Sequence, residues 1–349
     1  MIRTLDVDIQ VIRNGAFFDH LYPKEGGAPR LRMNSSSNIP TSLSGDYALN
    51  RSINWLTDEL QPVLIIDGVE HKLGRYLPAT VQELTAPAPA FVHVEAYDRC
   101  WRCRDNYTTT MLYFAAGTNY LTAVQQLLVA CGIEVILMTP TAETLTEGRQ
   151  DWPIGTSYLA IINQLLQEIN YKRLWFSSEG AAILEPVATP SAARIQHSFD
   201  SENVQSLMVP QLQRLQDIYS APNVFICICS NPDKSGPLMA TAENSNPQSP
   251  ISIPRRGRRI ATVVNVDNVA NQTALQAYAN RLLFDSMTGA ETISVATALL
   301  PGFGVEDVVA LHYDDEAAIC VETAWDMELR PGGTMSHTLR KVVYNLESA

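Results

Sequence analysis

Cys100-Trp101-Arg102-Cys103 is the segment whose residue types and spacing come nearest to chemistry, because two thiolates three positions apart can hold one side of a zinc ion or form a redox pair. Tetrahedral zinc needs two more ligands, and a reactive thiolate needs an electropositive setting such as a helix N-terminus. No second Cys-x-x-Cys exists, and Cys227-Ile228-Cys229 reads as a strand alternation whose thiols are expected on opposite faces. The expectation is packed or incidental thiols. The six histidines, His20, His71, His93, His197, His312 and His337, are widely separated, and none forms a His-x-x-x-His pair. No Gly-x-Ser-x-Gly elbow appears. Gly302-Phe303-Gly304 lacks the third glycine and the following helix of a dinucleotide loop, and no phosphate loop is present. Asp314-Asp315 and Asp58-Glu59 are adjacent carboxylates, for which a solvated turn is the expected setting. Trp55, Trp101, Trp152, Trp175 and Trp325 are spread evenly, as core or interface anchors rather than a sugar-binding platform. The residues therefore point to no catalytic, cofactor-binding or metal-ligating set, and to a protein that is not an enzyme.

The elements that would position such groups fall into three stretches. Over 1–98 the signals are strands: Val7, Ile9 and Val11 alternate with polar residues, and Pro62 to Ile66 meets Val69 to Leu73 across Asp67-Gly68, a strong hairpin signal. Ala86-Pro87-Ala88-Pro89 should be a rigid surface turn. Over 99–190 the period changes. Leu121, Val124, Leu127, Leu128 and Cys131 share a helical stripe that stops at Gly132, and Leu159, Ile162, Leu165, Leu166 and Ile169 share another that Asn170 would end. Leu174-Trp175-Phe176 then turns through Ser178-Glu179-Gly180 into Ala181 to Val187, a hairpin. Over 191–349 strands return, most clearly in Val224 to Cys229, and one helix is expected over Thr273 to Met287, ending at Gly289. Asn231 to Pro254 reads as a long loop rich in Asn, Pro, Ser and Gly. Further strands are expected at Glu291 to Ala296, Val308 to His312, Ala318 to Ala324 and Ser336 to Tyr344, with Asp314-Asp315-Glu316 turning between the middle two.

The fold class is thus α+β, mainly β: a first β domain at 1–98, a small helical α+β domain at 99–190, and a second β domain with one helix and a long loop at 191–349. The length, 349 residues, agrees with two or three domains. Hydrophobic residues at 46% with only 18% charged suggest surface reserved for other subunits. The net charge of −12 argues against a protein that neutralises phosphates, so no sequence-specific nucleic-acid binding is expected. The one basic run, Arg255, Arg256, Arg258 and Arg259, lies in a Pro- and Ser-rich stretch and reads as a solvated or subunit-facing loop. Six scattered cysteines fit reduced thiols in a protein folded in a cytoplasm, no export signal is visible, and no apolar run is long enough for a membrane span.

Several segments together resemble one family. They are Ile66-Asp67-Gly68 with Leu73-Gly74 and Tyr76-Leu77-Pro78, then Ala96-Tyr97-Asp98, Leu127-Leu128 with Cys131-Gly132, and Ile169-Asn170-Tyr171 leading to Leu174-Trp175-Phe176 and Gly180. Pro222-Asn223-Val224, Asn246-Pro247 with Ser249-Pro250, Leu300-Pro301-Gly302 with Asp307-Val308-Val309, and Gly332 to Lys341 complete the set. In order and spacing they resemble the baseplate hub proteins of contractile and long-tailed phages, including Mu-like and prophage-type hubs. The resemblance implies a homotrimer in which two β-barrel domains per subunit form a pseudo-sixfold ring. Such a ring joins the sixfold tail tube or a distal tail protein above to the threefold central spike below, around a tape-measure and DNA channel. It implies a virion location after synthesis in the host cytoplasm, no cofactor, and for His337 a structural hydrogen bond. Closed barrels remove free strand edges, and a head-to-tail contact that closes prevents filament growth. If the acids line the ring, a negative lumen would let DNA slide. The competing reading is a tail-associated enzyme or carbohydrate-binding module that degrades or recognises the host envelope. A secretion-system or tailocin relative shares the fold and oligomer of the first reading.

Overall fold

In the computed structural model the described residues are 3–343, apart from 86–89, 204–206, 217, 218, 220, 231–236, 267 and 290. The turn expected at 86–89 and the start of the long loop lie outside them. Eight strands come first: β1 (Leu5–Arg13), β2 (Ala16–His20), β3 (Arg30–Asn34), β4 (Thr41–Ala48), β5 (Glu59–Ile66), β6 (Val69–Lys72), β7 (Tyr76–Leu84) and β8 (Phe91–Asp98). Asp67 and Gly68 take φ of 50° and 82°, so the two-residue turn matches strand twist and sets Ile66 opposite Val69. Asn14-Gly15 does the same between β1 and β2.

Next come α1 (Cys100–Asp105), α2 (Tyr120–Ala130), β9 (Ile136–Met138), α3 (Tyr158–Glu168), β10 (Trp175–Phe176) and β11 (Ala182–Leu184). Asn119 caps α2 by accepting from the N–H groups of Leu121 and Thr122, and Ser157 caps α3 through Ala160. Both helices end where expected, at Gly132 and Asn170, each with positive φ. Their apolar stripes, with Leu128, Leu165 and Leu166 wholly buried, form one core with Cys100, Cys103 and Cys131. Each such leucine contributes about 1.5–3 kcal/mol by leaving water. β9 joins β11 in parallel, a pairing no local signal announced.

The last part holds β12 (Ile195–Asp200), β13 (Met208–Gln216), β14 (Val224–Cys229), β15 (Leu238–Glu243), α4 (Ile253–Arg256), β16 (Ala261–Val266), α5 (Gln272–Gly289), β17 (Glu291–Ala298), β18 (Val308–Tyr313), β19 (Glu316–Glu328) and β20 (Thr334–Lys341). The expected loop of 231–254 therefore contains a strand, because Ala240 and Ala242 alternate inward and let β15 pair with β14. The rest of that stretch is pinned by buried amides: Asn223 donates to the carbonyls of Ile251 and Arg258, and Asn244 donates to Ser249 Oγ. A second correction concerns Cys227 and Cys229, which share one face and one core under α5. A strand repeats every two residues, so positions i and i+2 point the same way.

The remaining strands form one sheet in the order β13-β17-β20-β19-β3-β4-β8-β7-β5-β1-β2, with β18 on β19 and β12 parallel to β18. As named strands the path is open among the described residues, so the chain is mainly β without a closed ladder. The chain leaving β2 nevertheless bonds both ways: Leu21 N–H donates to Ile9 O, Lys24 N–H to Asp46 O and Ala48 N–H to Tyr22 O. β19 joins the early and late strands. Its first half pairs with β18, and Ala324 to Glu328 pair with β3. A bulge between Glu322 and Ala324 shifts the phase, so Cys320 and Glu322 are buried on one side of it and Trp325 and Met327 on the other. Cys320 packs with Phe199, Ile293 and Leu339, whereas Trp325 and Met327 pack with Leu31, Met33 and Leu43. One strand thereby serves two cores.

Candidate functional site

The structure buries the thiols. Cys100 Sγ donates to Leu174 O at 3.4 Å, and Cys103 hydrogen-bonds Cys131 rather than Cys100. Burial pushes the Cys100 thiol up, which disfavours the reactive thiolate. Among the described residues no group of three or more His, Cys, Asp and Glu is arranged to hold a metal. The other candidates separate: His20 meets Asp8, His93 meets Asp46 and His312 meets Asp200 at distinct places. Asp314 turns the hairpin between β18 and β19 with φ of 51°, as expected.

Asp58-Glu59 departs from the solvated turn that was expected, since both residues are buried. Successive side chains at the start of β5 part to opposite sides. Asp58 takes a two-pronged bond from Arg13 at 2.8 and 2.7 Å and accepts from Asn54 N–H. The Arg13 bond holds the Asp58 carboxyl below its usual range. Glu59 takes two bonds from Arg99 and one from Arg102, and Arg75 lies at 3.5 Å. Arg99 also donates to Gly180 O, so this nest ties β5 to α1 and to the turn before β11. Gly180 has φ of 83° and Arg75 packed at 3.2 Å from where a Cβ would stand, a position that favours glycine.

The late strands hold a second buried polar chain around His337, whose partners Glu322 and Thr297 the sequence reading did not single out. His337 on β20 faces Glu322 on β19 through Nδ1 and Thr297 on β17 through Nε2, the latter at 2.9 Å. Thr297 Oγ1 donates to Ala298 O, so it must accept from the Nε2–H of His337. A neutral ring then offers Nδ1 as an acceptor, and the proton in that bond comes from a Glu322 carboxylic acid. Burial, then the nearby Asp307 charge, raise the Glu322 pKa well above its ordinary value, while burial lowers that of His337 to about 3. Glu322 Oε2 has no hydrogen-bond partner among the described residues, as a neutral carbonyl tolerates better than a carboxylate does. Phe303 stacks on His197 at 3.7 Å, and His197 in turn meets Asp307, which accepts from Gly304 N–H. Gly302-Phe303-Gly304 is thus a packing loop. The His337 spacing alone gave no signal of Glu322, because adjacency across β19 and β20 is a matter of register.

A cleft of about 660 Å³ lies where the segment after β11, α5 and the end of β20 meet. Arg194, Arg281, Arg340, Asp285 and Glu306 face it. The walls around Asp285 hold its pKa up at about 6 by desolvation, against the pull of Arg281 and Arg340. Basic residues 255–259 lie elsewhere: Arg255 is exposed, Arg256 donates to Ala221 O, and Arg259 pairs with Glu243. What these arrangements offer is buried charge that braces the fold and a charged cleft.

No family model and no curated protein matches the sequence. Solved structures do match in shape. The tail protein from Neisseria meningitidis has a TM-score of 0.67 and 11% identity, covering 96% of this chain and 96% of its own. The 43 kDa tail protein of prophage MuSo2 from Shewanella oneidensis gives 0.65 and 10%, over 96% of this chain and 98% of its own. An E. coli component of the type VI secretion system, described as structurally similar to the T4 bacteriophage tail proteins gp27 and gp5, gives 0.54 and 8%, over 98% of this chain and 75% of its own. At such low identity the common property is the fold, and it is shared along nearly the whole chain. This chain has the fold of those phage tail proteins.

Proposed function

We propose that the protein is a structural baseplate hub of a phage or phage-like tail, acting through interfaces and not by catalysis. The observation that carries this reading is the whole-length fold match to two tail proteins. Three copies would close into a ring with two β modules each, giving six near-equivalent positions from threefold symmetry. The division into 1–98, 99–190 and 191–349 supplies those modules and the insert between them. The bonds that the chain after β2 makes to both β1 and β4 support a barrel in the first module, since they bridge strands the named ladder leaves apart. The tube or a distal tail protein would sit above the ring, the central spike below, and a tape-measure protein inside, in a virion tail assembled after cytoplasmic synthesis. The match to the type VI component favours a secretion apparatus as a second setting for the same role.

Gel filtration with light scattering tests the proposal. The expected mass is three times the chain mass of 38.6 kDa, with no clearing of cell-wall suspensions. A chain that stays monomeric at assembly concentrations and clears walls would overturn it in favour of an envelope-degrading module.

A further inference from the structure

We propose that the cleft between the segment after β11, α5 and β20 binds an extended polypeptide segment of another protein that carries spaced acidic side chains. Its volume, about 660 Å³, is in the usual range for a binding site and far larger than one inorganic anion fills. In a chain of net charge −12, unpaired guanidiniums are the exception. Here the guanidiniums of Arg194 and Arg340 have neither an ion-pair nor a hydrogen-bond partner among the described residues, while both residues line the cleft. Arg281 approaches Asp285 only to 3.8 Å. Guanidiniums present paired donors that match a carboxylate, and binding one replaces water with a charge-assisted bond.

Two further features select a peptide. Ala188 and Thr189 line the cleft outside any helix or strand, and their main-chain groups hydrogen-bond no other residue among those described. A polypeptide can satisfy such groups by strand-like addition, which a small anion cannot do. Glu185, Asp285, Glu306 and Asp307 set four carboxylates on the same walls, so a dense polyanion such as DNA would meet repulsion where a chain with isolated acids would not. Glu306 is held at φ of 60°, a left-handed conformation that costs a side-chain-bearing residue energy and is often found where a loop serves a ligand.

The test is fluorescence anisotropy of a fluorescein-labelled peptide of alternating serine and glutamate, titrated with the full chain at low salt. Saturable binding is expected, with Arg194→Gln and Arg340→Gln each weakening it roughly tenfold. Thr189→Pro removes an N–H without touching charge and should cost roughly fivefold. Arg255→Gln, at an exposed arginine away from the cleft, should leave binding unchanged. Arg194 is exposed, so its variant stays folded and decides the matter even if Arg340→Gln does not fold. The proposal is overturned by absence of binding, by equal loss in Arg255→Gln, by unchanged affinity in Thr189→Pro, or by equal displacement with inorganic phosphate or short duplex DNA. None of these outcomes bears on the oligomer mass, so the hub reading stands or falls separately.

Discussion

Replacing Glu322 by glutamine tests whether the buried carboxyl holds its proton in the folded protein. Glutamine keeps the size and offers an amide N–H to His337 Nδ1, so near pH 5 the variant should lie within about 1 kcal/mol of the parent. At higher pH the two diverge. The Glu322 pKa is raised in the fold, so the folded protein keeps a proton that the unfolded chain releases above about pH 4.5, the ordinary value. Stability then falls with pH by about 1.4 kcal/mol per unit, and this loss continues until pH passes the folded pKa. His337 acts in the opposite direction. Its folded pKa is lowered to about 3, so folding is favoured as pH rises through the ordinary histidine value near 6.5. That term is common to parent and variant and cancels in their difference. The glutamine protein should therefore gain on the parent as pH rises above about 4.5, by up to about 1.4 kcal/mol per pH unit for as long as the folded carboxyl keeps its proton. Urea unfolding followed by tryptophan fluorescence at pH 5, 6, 7 and 8 measures it. The infrared difference spectrum of parent minus variant should show one protonated carboxyl band, that of Glu322. Parallel pH profiles with no such band would mean that Glu322 is ionised in the fold, and the reasoning from the Thr297 bond would be wrong.

Glu59→Ala should cost about 3–5 kcal/mol, because it leaves Arg75, Arg99 and Arg102 facing one another with no carboxylate, and the urea midpoint reads this directly. Asn119→Ala should destabilise by about 1 kcal/mol through loss of the α2 cap, seen as a lower thermal midpoint.

Much of the local structure was legible in the sequence. Asp67-Gly68 and Asp314-Asp315 were read as turns, Gly132 and Asn170 as helix ends, and Val224 to Cys229 as a buried strand, and each stands so in the fold. These features depend on backbone preferences and on periodic side chains within a few residues, which a sequence displays directly. The buried state of Asp58 and Glu59 was not legible, because it depends on arginines that arrive from β1, from the residue before β7 and from the start of α1. β15 was hidden by the turn-rich residues around it.

What only the tertiary structure decided is which edges meet. The pairing of Ala324 to Glu328 with β3 spans nearly the length of the chain, and the parallel pairings of β12 with β18 and β9 with β11 carry no local mark. The Glu322, His337 and Thr297 chain follows from register across three strands, and the charged cleft from the meeting of segments far apart in sequence. Residue types fix what each strand or charge can do, but partners are set by the joint burial of all the elements, a property of the whole chain rather than of any window along it.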